Sequence, residues 1–532
     1  MARYDYQPFD CQPPPELKGG EQTCRPVIIV GAGPIGLAAA IDLALHGVAC
    51  TVLDDNNVVS IGSRAICWSK RTLEIFDRLG VADRMIDKGV TWQVGRLFHR
   101  DNEVYSFDLL PEPGHKMPAF INLQQYYVEQ YLVERCADFP ELIDLRWKNK
   151  VTGIQQTGDG VTVNVNTPDG EYELTGEFAM ACDGVRSSVR TMLGLGFEGK
   201  VFDERFLIAD VEMTADFPSE RWFWFEPPFH KGQSALLHKQ PDNIYRIDLQ
   251  LSPDADPEEE KKPENVIPRI KAMVGERPFE LDWVSVYTFQ CARMERFVHG
   301  RVIFAGDSAH IVSPFGARGG NGGIQDVDNL IWKLAAVLDK RAPVSLLESY
   351  NEERLRGADE NILNSARATN FMTPKSDMEK LFRNEVLSLA ATMPFARKLV
   401  NSGRLSLPCS LEGMPLQSGS NGAPLAAGSP CPDAPLTGGG KNSGWLLNEL
   451  GGNFTLLHMG AQQRVGLDGM REITVADQQS ADAFHDSQGM AAQRYGTGFS
   501  YLVRPDQHIA AAFTRPDADA VAAAHDRAMD LG

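Results

Sequence analysis

The sequence predicts an α/β protein of several domains, and three observations carry that prediction. The stretch PVIIVGAGPIGLAAAIDLALHGVACTVLDD, from Pro26, places an apolar run, a glycine turn, a helix pattern and a second apolar run within about 30 residues, as a βαβ unit does. Between Phe206 and Leu251, short β-rich runs alternate with Pro, Gly, Asp and Asn turns, which indicates an antiparallel sheet. The length of 532 residues exceeds what one hydrophobic core usually covers.

Charge and composition argue against several classes of protein. The formal net charge of -19 opposes binding to phosphate backbones, so no nucleic-acid partner is expected. No apolar run approaches the roughly 20 residues that span a bilayer, so no membrane association is expected either. The polar, proline-rich N-terminus has no apolar signal core, which predicts a cytoplasmic location. The nine cysteines form neither a CxxC nor a Cys/His cluster, which predicts reduced thiols and no metal site.

The chain divides into segments by composition and hydrophobic period. We predict a loose leader over 1–25, a discontinuous nucleotide-binding domain over 26–200 and 290–400, and a β-rich domain over 201–289. A linker rich in Pro, Gly and Ser follows over 401–444, and a small α/β domain over 445–532. A strong amphipathic helix after the second glycine-rich stretch is indicated by apolar residues at three- and four-residue steps: Ile324, Val327, Leu330, Ile331, Leu334, Val337 and Leu338.

The first glycine motif has the spacing of a dinucleotide site. Gly31, Gly33 and Gly36 form GxGxxG between strand and helix: the first allows the turn, the second lets a pyrophosphate approach, and the third lets helix pack on strand. Asp54, at the end of TVLD, is placed to accept a hydrogen bond from a ribose hydroxyl. This Rossmann-like pattern leaves NAD and FAD both open.

The second glycine-rich stretch decides between them. RVIFAGDSAH puts Asp307 at the carboxyl end of a buried strand, the edge where open α/β sheets bind ligands. GDSAHIVSPFGARGGNGGIQDVDNLIWKL resembles the second FAD motif of the group A flavoprotein monooxygenases, the para-hydroxybenzoate hydroxylase-like aromatic hydroxylases. The resemblance implies that Asp307 holds the ribityl chain of FAD and that Pro314 lies over the flavin ring near the substrate.

The resemblance also assigns the contact with the flavin ring to the loop around Gly319, Gly320 and Asn321. Glycines without Cβ let backbone N–H groups approach the N1–C2=O edge of the flavin, which becomes anionic on reduction. The helix that follows adds its positive end. We interpret Asp326 and Asp328 as dipole partners in the first turn of that helix.

Three further segments resemble the same family. ACDGVRSSVR matches its DG motif, which implies that Asp183 contacts FAD and affects the passage of NAD(P)H. NLQQYYVEQYL matches a helix whose glutamine, here Gln125, touches the flavin side chain. GSRAICWSKRTLEIF matches a segment whose arginine, here Arg64, lies near the cofactor.

The family resemblance implies an enzyme with tightly bound, non-covalent FAD. No second GxGxxG follows a strand, so NADH or NADPH is expected to act as a transient cosubstrate. The implied reaction hydroxylates a phenolic ring with O2 through a flavin C4a-hydroperoxide, an intermediate that must be shielded from water.

The β-rich domain is expected to roof the substrate pocket, although alternation alone does not tell which face points inward. Arg246 is a candidate to hold a substrate carboxylate bidentately, and it is the sole motive for expecting one. No His/Tyr spacing identifies the base that would deprotonate the phenol. The candidates for lining the pocket are Trp222, Trp224, His238, Tyr245, Arg246 and Tyr287.

Two alternatives and the C-terminal region complete the sequence predictions. RWFWFEPP approximates the W-x-W-x-I-P signature of flavin-dependent halogenases, with Glu226 in place of isoleucine; a flavin-binding regulatory protein without turnover is the second alternative. The C-terminal segment resembles the thioredoxin-like tail of phenol and 3-(3-hydroxyphenyl)propionate-type hydroxylases but lacks CxxC, which predicts a structural or assembly role. The oligomeric state stays open, with a homodimer as one option.

Overall fold

The computed structural model describes every residue except 1–3, 20–23, 63, 253, 315, 401–406, 439–443, 461–463 and 481. Along the described chain, no helix combines the length and the apolar character that crossing a membrane requires.

The first third of the chain alternates strands and helices after a 3-10 turn at Pro15–Lys18. Its elements are β1 (Arg25–Val30), α1 (Pro34–Leu45), β2 (Cys50–Leu53), β3 (Cys67–Ser69), α2 (Lys70–Arg78), α3 (Ala82–Lys88), β4 (Val90–Trp92), β5 (Val94–His99), β6 (Asn102–Asp108), β7 (Phe120–Asn122), α4 (Gln125–Cys136), β8 (Ile143–Arg146), β9 (Lys150–Gln156), β10 (Val161–Thr167), β11 (Gly170–Ala181) and α5 (Ser188–Met192).

The middle of the chain contains long antiparallel strands followed by long helices. Its elements are β12 (Glu198–Met213), β13 (Arg221–Phe225), β14 (Ser234–Lys239), β15 (Ile244–Gln250), α6 (Pro257–Glu260), α7 (Pro263–Val274), β16 (Phe279–Arg293), β17 (Val298–His299), β18 (Val302–Phe304), β19 (His310–Ile311), α8 (Gly319–Leu338), α9 (Leu346–Met372), α10 (Asp377–Thr392) and α11 (Pro394–Arg397).

The last part forms a small α/β domain. Its elements are β20 (Thr437–Gly438), β21 (Thr455–Met459), β22 (Arg471–Ala476), β23 (Phe484–His485), α12 (Met490–Tyr495), β24 (Ser500–Val503), β25 (Ile509–Phe513) and α13 (Ala518–Ala528). Its mixed sheet has the order β20-β23-β22-β21-β24-β25. The assignment of this domain as thioredoxin-like stays a prediction.

The first large sheet is parallel at its centre, with the order β17-β18-β11-β1-β2-β8. Its central strands are buried apolar runs, as expected of strands covered on both faces. The helices α1 and α8 pack together beside it. β18 pairs with β11 although the whole β-rich region separates them in sequence. The two domains are therefore interleaved, as the sequence predicted.

The second large sheet has the order β19-β16-β12-β15-β14-β13-β5-β6. It extends beyond the predicted range of 201–289, because β5 and β6 at residues 94–108 join its edge through a parallel pairing of β5 with β13. One face packs on α7, and the other faces the first domain and the helices α9 and α10. Sequence alternation missed β5 and β6 because their partner lies more than 100 residues away.

A buried ion network joins the C-terminal domain to the first domain. Arg504 donates to both carboxylate oxygens of Glu353 at 2.7 and 2.9 Å, and Lys333 donates to the same group at 2.7 Å. Asp506 accepts from Arg504 at 2.6 Å, and its backbone oxygen accepts from Arg71. None of the three side chains of the Arg504–Glu353–Lys333 cluster is exposed. The contact between the two domains therefore contains buried charges that are paired with each other.

The described parts of the leader and the linker pack more closely than their composition indicates. Phe9 stacks on Trp147 with ring centroids 4.6 Å apart, and Glu16 pairs with Arg146 at 2.9 Å. In the linker, Leu411 and Leu436 are buried. Proline-rich composition predicted looseness, but aromatic and apolar side chains spaced along both segments find partners on the neighbouring domains.

Candidate active site

Four of the predicted residues follow four neighbouring strands of the parallel sheet. Gly31 follows β1, Asp54 follows β2, Asp183 comes after β11, and Asp307 comes after β18. Because these strands are parallel, their carboxyl ends meet at one edge, where open α/β sheets bind ligands. The fold thus brings together residues that are 276 positions apart in the sequence.

The GxGxxG turn has the geometry its spacing predicts. Gly31 has a φ of +106°, and a Cβ there would lie 2.6 Å from the Cys182 oxygen of the next strand. A Cβ on Gly36 would lie 1.9 Å from the Gly31 oxygen, so α1 could not pack as closely with any other residue. A Cβ on Gly33 would meet no protein atom within 4 Å. The open space at Gly33 is what a bound pyrophosphate requires.

A substitution at Gly33 separates folding from cofactor binding. Gly33→Ala is expected to weaken FAD binding about tenfold, because the added methyl group enters the ligand space. The unfolding free energy of the apoprotein is expected to change by less than about 1 kcal/mol, since φ at this position is -77°. Fluorescence titration with FAD and chemical denaturation measure the two quantities.

The control for Gly33→Ala is Gly196→Ala, at an exposed glycine that also has open space around it. That variant should keep normal FAD affinity. Equal affinity in both variants would show that the space at Gly33 is not used by the cofactor.

Asp54 is already held by the backbone around it. Its Oδ2 accepts from Ala32 N at 2.7 Å and its Oδ1 from Asn56 N at 2.8 Å. Burial raises the pKa of the Asp54 carboxyl, and these two hydrogen bonds act in the opposite direction. Each carboxylate oxygen can accept more than one hydrogen bond, so a ribose hydroxyl can still be bound.

Asp183 carries an oxygen without a partner. Its Oδ2 accepts from Ser188 Oγ and Val189 N, both at 3.1 Å, which fixes the side chain at the start of α5. Its Oδ1 is buried, and none of the described residues donates to it. A buried acceptor left without a donor is costly, so this atom indicates a ligand hydroxyl or amide in the bound state.

Asp307 also has no partner among the described residues. Asp307 is exposed, although its neighbours Gly306 and Ser308 are buried, and the surrounding protein still shifts its pKa. Asp307 therefore faces a cleft at the carboxyl edge of the sheet, which we call the Asp307 cleft. Burial raises the pKa of Asp307, and the electrostatic interactions with His310 and Arg64 oppose that rise. A carboxylate in this position is suited to accept hydrogen bonds from several ligand hydroxyls.

The helix α8 begins at the predicted loop. Gly319 and Gly320 are its first two residues, and a Cβ on Gly319 would lie 3.9 Å from Asp307 Oδ1. The first amides of an α-helix have no partner within the helix, and the helix dipole places positive charge there. Asn321 uses its side chain differently: Oδ1 accepts from Ser69 N at 2.9 Å and Nδ2 donates to Cys67 O at 2.9 Å. Its side chain therefore anchors the helix start to β3, and only its backbone is free for a cofactor.

Two glycines of this stretch serve packing. A Cβ on Gly323 would lie 2.6 Å from Ile35 Cδ1 and 3.0 Å from Gly306 Cα. α8 therefore approaches α1 and the Gly306 turn more closely than a side chain would allow. Part of the glycine richness is explained by helix packing instead of cofactor contact.

The prediction that Asp326 and Asp328 lie in the first helical turn is wrong, because α8 begins at Gly319. Asp326 instead accepts from His310 Nε2 at 2.6 Å and from Arg354 Nε at 2.7 Å, and it also holds the Gly306 N–H. These charges hold the pKa of the Asp326 carboxyl below its usual value. The hydrogen bonds that Asp326 accepts from Gly306 and His310 therefore fix the turn that carries Asp307.

Gln125 and Arg64 meet on the loop between β2 and β3. Gln125 Oε1 accepts from Ala65 N at 3.1 Å, and its Nε2 donates to Glu129 at 2.8 Å. The buried Glu129 in turn accepts from Ser60 N at 2.5 Å. Arg64 is exposed, and its charge opposes the rise that burial causes in the pKa of Asp307. Gln125 therefore shapes the loop that presents Arg64 to the Asp307 cleft.

Pro314 is exposed and begins the turn that leads into α8. Ala317 N donates to Pro314 O at 3.1 Å, and Ala317 has a φ of +52°, which a non-glycine residue adopts at a cost. The Ala317 oxygen accepts from Asn321 Nδ2 at 2.5 Å, which holds this strained turn in place.

The face of the second sheet that points toward the first domain is now defined. His238 lies beside Cys67, with Nδ1 4.0 Å from Sγ, and Arg246 Nη1 donates to the Arg64 oxygen at 2.9 Å. Tyr287 shares this face, because it pairs with Phe206, which packs toward α9 and α10. Trp222, Trp224 and Tyr245 lie on the opposite face among the residues that contact α7. The prediction that these three residues line the substrate pocket is therefore wrong.

Arg246 differs from its predicted state. Its guanidinium donates to both oxygens of Asp210 at 2.8 and 2.9 Å, and the pair is almost fully buried. Asp210 therefore already balances its charge, and a substrate carboxylate would have to compete with that contact. The sequence did not show this because Asp210 and Arg246 face each other only through the pairing of β12 with β15.

Arg221 and Asp248 are two charged residues of the inward sheet face that sequence reasoning missed. Strand register puts Arg221 opposite His238, and His238 opposite Arg246, so all three share the inward face. The guanidinium of Arg221 forms no hydrogen bond or ion pair with any residue that the structure describes, and burial lowers its pKa. The one sequence feature that could have indicated Arg221 is strand alternation, because Arg221, Phe223 and Phe225 are spaced by two and share one face of β13.

The Glu226 segment does not form a halogenase-like site. Glu226 has a φ of +50° and is buried in ion pairs with Arg383 and Lys380 of α10. Trp222 and Trp224 pack at the α7 side of the sheet, away from the Asp307 cleft. The tryptophans are therefore explained by sheet packing.

The residues at the sheet edge fit a flavin dinucleotide. Gly33 leaves space for a pyrophosphate, Asp183 and Asp307 offer acceptors without partners, and the α8 start offers free amides. This is the donor and acceptor set that phosphates, ribityl hydroxyls and a flavin carbonyl edge require.

Comparison with known proteins gives consistent results. A family model described as an FAD binding domain matches residues 25–365. A flavin-dependent monooxygenase of Mycobacteroides abscessus is 30% identical over 466 residues, covering 83% of this chain and 90% of the relative. A 3-(3-hydroxy-phenyl)propionate/3-hydroxycinnamic acid hydroxylase of Klebsiella pneumoniae is 28% identical, over 85% of this chain and 81% of the relative.

Among solved structures, the flavin-dependent monooxygenase PieE in complex with FAD and substrate has a TM-score of 0.81 at 21% identity. The match covers 96% of this chain and 100% of that one. At this identity the likeness extends to the fold.

Proposed function

Because this chain belongs to the FAD-dependent aromatic monooxygenases that carry this FAD-binding domain, we propose that it hydroxylates a phenol bearing an anionic group, with NAD(P)H and O2. It is an enzyme that uses FAD and a small aromatic substrate, and hydroxylation is favoured over halogenation. The observation that supports the anionic group is Arg221, whose guanidinium lies on the inward face of the second sheet and has no partner among the residues that the structure describes.

We assign the FAD contacts to the residues gathered at the sheet edge. The turn at Gly31, Gly33 and Gly36 would hold the pyrophosphate, and Asp54 the ribose. Asp183 and Asp307 would accept hydrogen bonds from the cofactor, with Asp307 on the ribityl chain. Gln125 and Arg64 would border the cofactor from the loop before β3, and the α8 amides at Gly319, Gly320 and Asn321 would face the flavin ring.

Bound FAD supplies the redox chemistry, taking two electrons from NAD(P)H and activating O2. The protein's part is to stabilise the negative charge that the reduced ring carries. The α8 start suits that part, since its amides and its dipole are fixed before the reaction and need no reorganisation. Pro314 and the inward sheet face would cover the ring and exclude water.

Arg221 takes over the role that the sequence gave to Arg246. A guanidinium binds a carboxylate bidentately, and taking it out of water without a partner is costly. A substrate anion would recover that cost, whereas Arg246 already has Asp210. Relatives named as 3-(3-hydroxy-phenyl)propionate/3-hydroxycinnamic acid hydroxylases act on phenols with such a carboxylate, which supports the same choice.

A matched set of phenols tests this function. The FAD-loaded protein is given 3-(3-hydroxyphenyl)propionate, 3-hydroxycinnamate or the uncharged 3-propylphenol, with NADH or NADPH. The carboxylated phenols should stimulate NAD(P)H oxidation and yield a product one oxygen heavier, detected by mass spectrometry. Equal or better turnover of 3-propylphenol would contradict the anionic substrate, and halide incorporation would contradict hydroxylation.

Arg221→Ala is expected to lower kcat/KM for the carboxylated phenols by about 10- to 100-fold, the effect of losing one charge-assisted contact. The value for an uncharged phenol should change less than threefold. Arg277→Ala, at an exposed arginine beside the α7 face, is the control and should change neither. A uniform loss on all phenols would assign Arg221 a structural role instead.

A homodimer and a cytoplasmic location are proposed as well. Exposed apolar side chains on α10 and α11, such as Met378 and Phe395 at 73% and 63% exposure, support association of two copies. Nine cysteines without a disulfide support a reducing compartment. Sedimentation at several concentrations and cell fractionation test the two.

A further inference from the structure

We propose that Asp248 is the base that accepts the proton of the substrate's phenolic hydroxyl, an inference that rests on the function proposed above. Such a base must lie on the inward face of the second sheet, have a free acceptor atom, and be ionised at the working pH. Asp248 meets these conditions, and the sequence gave no candidate for this role.

Strand register places Asp248 in the pocket wall. It pairs with Ile208 of β12 and Leu236 of β14, and it lies two residues from Arg246 on the same face of β15. On the same face, His238 Nδ1 lies 4.0 Å from Cys67 Sγ, and the Cys67 oxygen accepts from Asn321 at the α8 start. Asp248 is therefore directed at the space between the sheet and the flavin-binding helix.

The acceptor atom of Asp248 is free. Its Oδ1 is buried, and no donor among the described residues reaches it. Arg246, the nearest cation along the strand, is committed to Asp210. A buried carboxylate oxygen without a donor loses the free energy of hydration, and no protein hydrogen bond replaces it. A ligand hydroxyl that donates to this oxygen would offset that cost.

The other titratable groups on this face are less suited. His238 is buried between Arg221 and Arg246, which with burial hold its pKa well below the usual range. Asp210 is bound bidentately by Arg246. Burial raises the pKa of both Tyr287 and the Cys67 thiol, so each stays protonated.

Burial raises the pKa of Asp248 to about 6, with Asp210 acting in the same direction and with Arg246 and Arg221 opposing it. The carboxyl is therefore half protonated near pH 6 and mostly ionised above that pH. A base in this range gives and takes a proton readily near neutral pH.

The step is a proton transfer without redox change. The phenolic O–H bond breaks, the proton binds Asp248 Oδ1, and the electron pair stays on the phenolic oxygen. That pair raises the electron density at the ortho and para ring carbons, which then attack an electrophilic oxygen.

The test compares Asp248→Asn with Asp248→Glu and with a control, Asp254→Asn, at an exposed carboxylate. Each FAD-loaded protein is given 3-(3-hydroxyphenyl)propionate and its polyfluorinated analogues, at a pH above the phenolic pKa of the analogues and below that of the unfluorinated phenol. Asp248→Asn should lower hydroxylated product per NAD(P)H by about 100-fold on the unfluorinated phenol, with KM changed less than fivefold. The loss should largely disappear on the ionised analogues, and Asp248→Glu should recover part of the rate.

The pH profile gives a second readout. Since Asp248 works as the carboxylate, the wild-type hydroxylation rate should fall as pH drops through about 6, and this limb should be absent in Asp248→Asn. An Asp248→Asn variant that matches the wild type in rate, in product per NAD(P)H and in the fall of the rate below pH 6 is the opposite result. That result would overturn the role of Asp248 and leave the proposed function standing. Loss of equal size on fluorinated and unfluorinated phenols would overturn it too, since a structural defect does not depend on phenol ionisation. If the wild type hydroxylates no phenol of the set, the proposed function itself fails, and the role of Asp248 falls with it.

Discussion

Asp307→Ala is expected to weaken FAD binding by about 10- to 100-fold while the protein stays folded. The Asp307 carboxylate has no partner among the described residues, so its removal breaks no contact inside the protein. Hydrogen bonds that involve a charged group contribute about 1.5–3 kcal/mol each, which sets the size of the loss. Absorbance of the purified variant and FAD titration of the apoprotein measure it, with circular dichroism as the check on folding.

The control for Asp307→Ala is Asp339→Ala. Asp339 is an exposed aspartate at the opposite end of α8, where it pairs with the exposed Arg341. This variant should bind FAD normally. Retention of FAD at wild-type affinity by Asp307→Ala would count against the assignment of the GD motif to the cofactor.

Glu353→Gln is expected to weaken the contact between the C-terminal domain and the first domain by about 3–5 kcal/mol. The Glu353 carboxylate accepts from Arg504, Lys333 and Asn329, and none of the Glu353 side chain is exposed. Removing its charge leaves buried cations without a counter-charge, which costs more than losing a surface pair. The urea midpoint should fall, and proteases should cut the segment between the domains faster.

The pH dependence of this contact follows from the same charges. Arg504 and Lys333 hold the pKa of Glu353 below its ordinary value. A carboxyl whose pKa is lowered on folding contributes stability above its unfolded pKa, and that stability is lost as pH falls below it. The wild type should therefore destabilise from about pH 4.5 downward, and Glu353→Gln should lack this component. Glu352→Gln, at the exposed neighbouring residue, is the control; equal stability of the two variants would contradict a role for the network.

The residues proposed for the cofactor half of the site could be named from the sequence because their motifs are local, and their contact with FAD stays a prediction. GxGxxG with Asp54, and GD with the glycine-rich helix start, each lie within one strand–turn–helix unit, where spacing determines geometry. The parallel sheet then brings Asp183 and Asp307 to the same edge as Gly31, which the resemblance implied and the strand order accounts for.

The substrate half could not be predicted because it depends on long-range strand pairing. Because side chains alternate along a strand, the sequence shows that Arg221 and Trp222 point to opposite faces of the sheet. Which of these faces is inward depends on the packing of α7 against the sheet. The same holds for Arg246, whose charge is balanced by Asp210 across β12 and β15. The strands β5 and β6, and the ion network around Glu353, likewise depend on partners distant in sequence.

The crystal structure of the protein with FAD and a carboxylated phenol tests the central claim most directly. We predict density for the flavin ring against the first turn of α8, with its ribityl chain at Asp307 and the phenol between the ring and the face that carries Arg221 and Asp248. Flavin bound elsewhere, or a phenol on the α7 side of the second sheet, would contradict the account.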